Sequence, residues 1–218
     1  EGRSLVMSSP RVALVDYGAG NLRSVAKALE RSGLAVELAS DGAALARADA
    51  VVLPGVGAFA AAVANLRAKG LDAAVLGAID AGKPYLGLCL GLQLLFEDSD
   101  EHGLAAGFGR LAGHVRRFPE QVDERPLRVP HIGWNEVRWQ GKHPLQQTLP
   151  ERDVYYFVHG WRALPERSAD LAGSCDYGGS FAAAVAHENV FAVQFHPEKS
   201  QSAGKRVLDA FAAWVRAW

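Results

Sequence analysis

This sequence has few cysteines, almost no net charge and no long apolar run. Two cysteines, Cys89 and Cys175, stand among 218 residues, so at most one disulfide could form, and a reducing cytoplasm is the expected location. Lysine and arginine number 23 against 24 aspartate and glutamate residues, and this balance argues against a protein that binds nucleic acid or a membrane surface. No apolar run reaches the roughly 18 to 20 residues of a membrane span.

Apolar residues, in contrast, make up 49% of the chain, which excludes a disordered protein. A chain of this length buries roughly 70% of its unfolded surface and can build a core without disulfides or structural metal. Residues 1–10 are expected to be a tag remnant or disordered terminus, with Met7 as the natural start. Residues 11–218 are expected to form one domain.

Short apolar β-type runs alternate with helical patterns in the first half, which predicts a parallel sheet covered by helices. The strands predicted there are residues 11–16, 36–39, 50–53 and 85–88, and the helices are residues 22–31, 59–82 with a break at Gly70, and 90–96. Strands predicted in the second half are residues 115–118, 133–137, 155–161, 181–186 and 190–195. Short turns between these later strands favour antiparallel pairing, and an amphipathic helix is predicted over residues 204–218.

A candidate nucleophile lies between the fourth predicted strand and its following helix. Residues 87–91 read Gly-Leu-Cys-Leu-Gly, the Gly-x-nucleophile-x-Gly pattern of a nucleophile elbow. The glycines remove side chains that would clash in the sharp turn, and the start of a helix favours the thiolate form of Cys89. A buried structural cysteine at a strand end is the alternative, since free cysteines are among the most buried residues.

A general base with a carboxylate partner is found at His196-Pro197-Glu198. In an extended segment positions i and i+2 point the same way, so Glu198 is predicted to orient the imidazole of His196. Pro197 stiffens the connection by restricting its own φ. Together with Cys89, these residues predict a nucleophile, a base and an orienting acid, although the segment on its own would fit a surface histidine in a loop.

The loop after the third predicted strand is a candidate oxyanion hole. It reads Pro-Gly-Val-Gly over residues 54–57, and its glycines allow backbone N–H groups to approach a ligand. The N–H groups of Val56 and Leu90 could together bind a tetrahedral oxyanion. An ordinary turn ending a strand fits the same residues equally well.

Two cofactor signals are incomplete, so no cofactor and no metal is expected. Gly18 and Gly20 follow a strand as in a dinucleotide fingerprint, but Arg23 stands where the third glycine belongs. A zinc motif is likewise excluded at His187, because the second histidine is replaced by Phe191. Cys175 lies in a Gly/Ser-rich stretch that predicts an inert loop cysteine.

Residues 54–59, 87–93 and 195–200 together resemble the motifs of class I (triad) glutamine amidotransferases. Residues 16–22, 130–135 and 155–159 are, in addition, similar to the glutaminase subunits of imidazole glycerol phosphate synthases. The resemblance covers residues 11–218 and implies a three-layer α/β/α fold, flavodoxin-like in its parallel core, with an antiparallel extension of the sheet. Ile132 takes a place where that subfamily often has methionine.

The resemblance implies that Cys89 attacks the side-chain amide of L-glutamine and releases ammonia. His196 would then move the protons and Glu198 would hold the imidazole. The residues implied to bind the substrate are Gly57, Gln93, His159, Gly160 and Trp161. Gly160 and Trp161 stand where the family typically has a hydroxyl residue followed by tyrosine, so backbone groups are expected to replace a hydroxyl contact there.

The resemblance also implies a heterodimer with a synthase (cyclase) subunit that is a (β/α)8 barrel. Asn21, Trp134, Tyr156 and Lys199 are the residues implied to face that subunit. The ammonia would serve to make imidazole glycerol phosphate and aminoimidazole carboxamide ribotide in L-histidine biosynthesis, and the glutaminase is expected to be nearly idle without its partner. As an alternative, Trp134 and Tyr156 could be core aromatics.

Two other functions remain open from the sequence. One is the glutaminase subunit of anthranilate or aminodeoxychorismate synthase, although those subunits tend to have histidine where Leu92 stands and to lack Lys199. The other is a non-enzymatic redox or interaction protein of the same fold, which would need the cysteine but no base. A measurement of glutamate release with and without a synthase partner separates these possibilities.

Overall fold

A computed structural model describes residues 9–218, so most of the predicted terminal segment 1–10, including Met7, lies outside the described residues. The helices are α1 (Leu22–Arg31), α2 (Gly42–Arg47), α3 (Phe59–Ala68), α4 (Leu71–Asp80), α5 (Leu90–Gln93) and α6 (Gln201–Ala217). The longer strands are β1 (Arg11–Val15), β2 (Ala35–Ala39), β3 (Ala50–Leu53), β4 (Tyr85–Leu88), β7 (Gly113–Arg117), β10 (His131–Trp139), β11 (Arg152–His159), β12 (Trp161–Pro165), β13 (Leu171–Asp176), β14 (Ser180–His187) and β15 (Val190–Val193). The two-residue strands are β5 (Asp98–Ser99), β6 (Ala105–Ala106), β8 (Gln121–Val122) and β9 (Arg125–Pro126).

A nine-stranded sheet in the order β11-β10-β13-β14-β15-β4-β3-β1-β2 is the frame of the molecule. The strands β2, β1, β3, β4 and β15 pair in parallel, and their 2-1-3-4-5 order is that of flavodoxin-like sheets. The strands β3, β4 and β15 are buried along their whole length, as expected for parallel strands covered on both faces. The strands from β14 to β11 continue the sheet in antiparallel pairs.

Helices cover both faces of this sheet and give the predicted three layers. Side chains of α1 and α6 pack with one face of the sheet in one apolar cluster. Side chains of α2, α3 and α4 pack in a second cluster on the opposite face. A smaller sheet in the order β12-β7-β5-β6 lies beside the second cluster, so the predicted α/β/α arrangement with an antiparallel extension is confirmed.

Several elements differ from the sequence prediction, among them β13 and the two-residue strands, which that prediction lacks. The short helix α2 is absent from that prediction, although its N-cap signal is present: the Asp41 side chain accepts a hydrogen bond from the Ala44 N–H at 2.9 Å. The predicted strand 155–161 is in fact two strands, β11 and β12, which separate at Gly160 and enter different sheets. The strands with which β11 and β12 pair decide where the segment divides, and a local sequence pattern does not show these partners.

Three further local predictions are corrected. Cys175 lies in the buried strand β13 and not in a loop. The helix after Cys89 spans Leu90–Gln93 and ends before the predicted residue 96. The final helix begins at Gln201, three residues before the predicted start at Gly204. A side chain at Gly204 would overlap the Pro197 carbonyl oxygen.

None of the helices within residues 9–218 is both long enough and apolar enough to cross a membrane.

Candidate active site

The turn between β4 and α5 holds Cys89 in a conformation that few non-glycine residues adopt. Its φ of 52° and ψ of −103° lie outside the regular regions, and backbone strain of this kind is typical of nucleophile elbows. A side chain at Gly91 would overlap the Leu53 carbonyl oxygen, and one at Gly87 would lie 2.9 Å from the Ala192 Cβ. Both glycines are therefore needed for the turn, as the sequence pattern predicts.

His196 and Glu198 lie together at the end of the strand that pairs with β4. The His196 Nδ1 atom is 2.9 Å from Glu198 Oε1, and both side chains are almost fully buried. The segment Pro197–Lys199 forms a 3-10 turn, so the two side chains meet through a turn and not through the extended geometry predicted. The pairing itself agrees with the prediction.

The electrostatics of His196 favour a charged imidazole. Burial lowers the pKa of His196, but its interactions with the Cys89 thiol and the Glu198 carboxylate outweigh burial and raise it to about 10. The Nε2 atom of His196 is buried and makes no hydrogen bond of normal geometry within residues 9–218. It is therefore the ring atom available to exchange a proton with Cys89.

Asn21 contacts Glu198, whereas the sequence resemblance implies that Asn21 faces a partner protein. Its side-chain Nδ2 donates to Glu198 Oε1 at 3.0 Å, across 177 residues of sequence. Asn21 precedes α1 with a φ of 68°, a left-handed conformation that asparagine tolerates well. The Glu198 carboxylate oxygen is thus held from two directions, by an imidazole and by an amide.

The candidate oxyanion loop is oriented with a carbonyl toward the elbow. The Leu90 N–H, the predicted second oxyanion donor, points to the Gly55 carbonyl oxygen at an N···O distance of 3.4 Å. The Tyr17 hydroxyl donates to the Pro54 carbonyl at 3.1 Å, and a side chain at Gly55 would overlap Tyr17 and Leu90. In this state the Leu90 N–H is directed at a carbonyl oxygen and not at an open anion site.

A cavity of about 470 Å³ opens beside Cys89. Its lining includes all of the residues predicted to form the oxyanion hole and to bind substrate, namely Val56, Gly57, Leu90, Gln93, His159, Gly160 and Trp161. The structure thus brings these predicted residues together around Cys89. Their individual roles remain predictions.

Two polar residues in and beside this cavity carry no motif signal in the sequence. The Glu101 carboxylate lines the cavity, is 8% exposed, and accepts a hydrogen bond from the Phe59 N–H at 2.7 Å. Gln194 is fully buried, with its Nε2 atom 3.5 Å from Cys89 Sγ. Gln194 lies two residues before His196, but an isolated glutamine beside a motif has no pattern that separates it from a core residue.

A cluster of metal-ligating residue types lies elsewhere. Ligand atoms of Glu97, His114 and Glu166 fall within 4.8 Å of one another. Both glutamates are exposed, and exposed acidic groups of this kind are common without an ion. None of the three residues lines the cavity beside Cys89.

Comparison with known proteins decides the family. Residues 13–213 match the family model described as "Glutamine amidotransferase class-I". The chain belongs to the class-I glutamine amidotransferases. This amidotransferase is 45% identical over 202 residues to the imidazole glycerol phosphate synthase subunit HisH of Syntrophotalea carbinolica, covering 92% of this chain and 98% of the relative. It is 47% identical over 209 residues to the same subunit of Methylococcus capsulatus, covering 93% and 96%.

Solved structures share the amidotransferase fold at lower identity. The structure of PurLQS from Thermotoga maritima is 19% identical, with a TM-score of 0.72 over 94% of this chain and 99% of that chain. The glutaminase domain of the Trypanosoma brucei CTPS, solved with bound acivicin, is 18% identical, with a TM-score of 0.63 over 96% and 94%. At this identity the likeness supports the fold alone.

An exposed apolar face of the amidotransferase lies next to His196 and Glu198. Trp134 on β10 and Tyr156 on β11 are directly paired, with ring centroids 5.9 Å apart. Trp134 is 49% exposed and its neighbour Ile132 is 59% exposed, so Trp134 is not the core aromatic of the alternative interpretation. Lys199 is exposed directly beyond Glu198. Exposed large apolar groups in one patch are typical of protein interfaces.

Proposed function

We propose that this chain is the glutaminase subunit of an imidazole glycerol phosphate synthase. It hydrolyses L-glutamine to glutamate and ammonia, and the ammonia passes to a synthase (cyclase) subunit of L-histidine biosynthesis. The observation that carries the proposal is the buried His196–Glu198 pair at 2.9 Å beside the strained Cys89. The similarity to HisH subunits along almost the whole chain supports the choice among amidotransferases.

The reaction follows from the positions of these groups. The Cys89 proton moves to His196 Nε2, and the thiolate attacks the side-chain carbonyl carbon of glutamine. The imidazolium then returns the proton to the departing nitrogen, so that ammonia leaves and a glutamyl thioester remains. A water molecule, deprotonated by His196, attacks the thioester, the C–S bond breaks, and glutamate is released while the Cys89 sulfur recovers the proton from His196. Glu198 stabilises the imidazolium in both halves without taking its proton.

The cavity offers matching groups for the two ends of glutamine. The buried Glu101 carboxylate is suited to the substrate ammonium group, since a buried charge needs a partner of opposite sign. The backbone of Gly57 and of residues 159–161 provides polar groups for the rest of the amino acid. Trp161 lines the cavity and donates through Nε1 to Asp100 Oδ1 at 3.0 Å, so we infer that this N–H does not replace the contact of the missing hydroxyl.

We infer that the Gly55 carbonyl keeps the isolated glutaminase nearly idle. The oxyanion needs two N–H donors, and losing one such donor costs about 10² to 10³ in rate. Here the Leu90 N–H is turned toward the Gly55 oxygen. A rotation of the Gly55–Val56 peptide would remove this carbonyl and present the Val56 N–H, and partner binding must favour the rotated state to activate the enzyme.

The partner is proposed to be a (β/α)8-barrel synthase subunit that docks on the face carrying Trp134 and Tyr156, as a heterodimer. The Tyr156 carbonyl accepts from the His196 N–H at 3.0 Å, and the Tyr156 N–H donates to Ser200 Oγ at 2.9 Å. A partner that contacts β11 therefore contacts a strand that is hydrogen-bonded to the backbone of His196. Lys199 is suited to an ion pair with an acidic residue of the partner.

We place the complex in the cytoplasm, because a catalytic thiolate needs a reducing compartment. Residues 11–218 are taken as one functional domain, since the main sheet combines strands from both halves of the chain. A non-enzymatic redox protein would need Cys89 but would have no use for the orienting contacts of His196 and Glu198.

The replacement Cys89→Ala tests the proposal. In the complex with the synthase subunit it should abolish glutamine-dependent synthesis and leave synthesis from added ammonium nearly unchanged, because the synthase does not depend on the source of ammonia. Cys175→Ala is the matched control, since it removes the other buried thiol, and should leave both activities intact. Glutamine turnover retained in Cys89→Ala would refute the assignment.

A further inference from the structure

A fully buried glutamine contacts the sulfur of the proposed nucleophile. Gln194 follows β15 and has no exposed surface, and its Nε2 atom lies 3.5 Å from Cys89 Sγ. Its backbone N–H is already paired with the Ala183 carbonyl at 2.8 Å. Leaving a buried amide oxygen or nitrogen without a hydrogen-bond partner is costly. The neighbouring donors and acceptors therefore determine whether the oxygen or the nitrogen of the Gln194 side chain faces the sulfur.

The orientation of the Gln194 amide follows from a neighbouring carbonyl. The Trp161 carbonyl oxygen can only accept hydrogen bonds, so the Gln93 side-chain atom 3.1 Å from it is the nitrogen Nε2. The same nitrogen lies 3.0 Å from the Gln194 side chain, which must therefore present its oxygen, Oε1. The remaining end of Gln194, the Nε2 donor, is the one that faces Cys89.

Two buried histidines hold the Trp161 carbonyl in place. His159 Nδ1 donates to this oxygen at 2.8 Å, and so His159 Nε2 must accept from His131 Nδ1 at 3.1 Å. His131 Nε2 in turn accepts from Asn135 Nδ2 at 3.3 Å. Burial lowers the pKa of His131 to about 4 and that of His159 to about 3. Both imidazoles are neutral near pH 7, with one donor and one acceptor each, as the chain of hydrogen bonds requires.

We propose that Gln194 is a further catalytic residue, whose side-chain N–H donates to Cys89 Sγ and stabilises the thiolate relative to the thiol. A thiol sulfur accepts hydrogen bonds weakly, whereas a negatively charged acceptor forms much stronger ones. The contact therefore favours ionisation of Cys89. Gln194 keeps its own protons throughout, and the thiol proton goes to His196. The contribution of Gln194 to glutamine turnover rests on the proposed glutaminase function, whereas its effect on the ionisation of Cys89 does not.

The substitution Gln194→Met tests this proposal, since methionine has a similar length and no donor. The measurement is the rate of Cys89 alkylation by iodoacetamide against pH, followed by mass spectrometry of the Cys89 peptide in the complex. We expect the midpoint pH to rise by about one unit, which corresponds to about tenfold less thiolate below the midpoint. Gln146→Met is the matched control: Gln146 Nε2 donates to two carbonyl oxygens outside the site, and its loss should leave the midpoint unchanged.

A second variant keeps the test decisive if Gln194→Met fails to fold. Gln194→Glu conserves the shape and the contact with Gln93, but places a carboxylate oxygen against the sulfur. Its alkylation midpoint should rise further than that of Gln194→Met. An unchanged midpoint in either folded variant overturns the proposal. If the wild-type complex released no glutamate, the proposed function would fail, while the alkylation comparison would still decide the role of Gln194.

Discussion

The contact between Asn21 and Glu198 makes a quantitative prediction about the triad. Glu198 Oε1 receives the Asn21 amide at 3.0 Å and the His196 ring at 2.9 Å, while the buried Oε2 atom has no hydrogen-bond partner within residues 9–218. Removing the amide leaves a buried carboxylate with a single donor. A hydrogen bond to a charged group contributes about 1.5–3 kcal/mol, and about 1.4 kcal/mol is a factor of ten.

The informative substitution is Asn21→Gly, because glycine accepts the positive φ of this position without strain. If the lost contact acts mainly on the transition state, kcat for glutamine hydrolysis should fall about tenfold to a hundredfold with little change in KM. Asn21→Asp keeps the size of the side chain but places a second carboxylate beside Glu198. Its loss should be larger, since like charges oppose ionisation of the pair.

The assay is glutamate release by the complex at saturating glutamine, together with the dissociation constant for the synthase subunit. A kcat within twofold of wild type in Asn21→Gly would refute the positioning role. An unchanged kcat with weakened association would instead support the sequence-based expectation that Asn21 faces the partner.

Three further predictions concern association, packing and pH. Lys199→Ala should weaken binding of the synthase partner and reduce its salt dependence, because a bridging charge is lost; binding that is unchanged at low and high salt would exclude Lys199 from the interface. Gly91→Ala should destabilise the fold by about 1–3 kcal/mol, because the new methyl group would overlap the Leu53 carbonyl. Gly77→Ala, in open space on α4, should instead stabilise the fold by about 0.5–1 kcal/mol. Equal changes in the free energy of urea unfolding for the two variants would contradict the packing argument. Burial lowers the pKa of His143 to about 4 from an ordinary 6.5. Below about pH 6.5 the unfolded chain therefore binds a proton that the folded chain does not, and the free energy of unfolding should fall as the pH falls. His143→Gln should reduce this dependence of the free energy of unfolding on pH, and an identical dependence in both proteins would contradict the prediction.

Much of the candidate site was predictable from the sequence, because its motifs consist of residues that are close together in the chain. An elbow nucleophile needs glycines at fixed positions beside it, and a strand end followed by His196-Pro197-Glu198 places a base and an acid within one turn. Both signals depend on neighbours within a few residues. The parallel core was likewise predictable, because strands buried on both faces are short, continuous apolar runs bounded by turns.

Tertiary structure alone decided which distant groups complete the site. Asn21 reaches Glu198 across 177 residues, and Gln194 reaches Cys89 across 105, because β1, β4 and β15 end at the same edge of one sheet. The division of residues 155–161 at Gly160 and the exposure of Trp134 depend on which strands pair and what covers them. A sequence specifies side chains and their local spacing, but only the strand order brings an amide from one end of the chain to a carboxylate at the other.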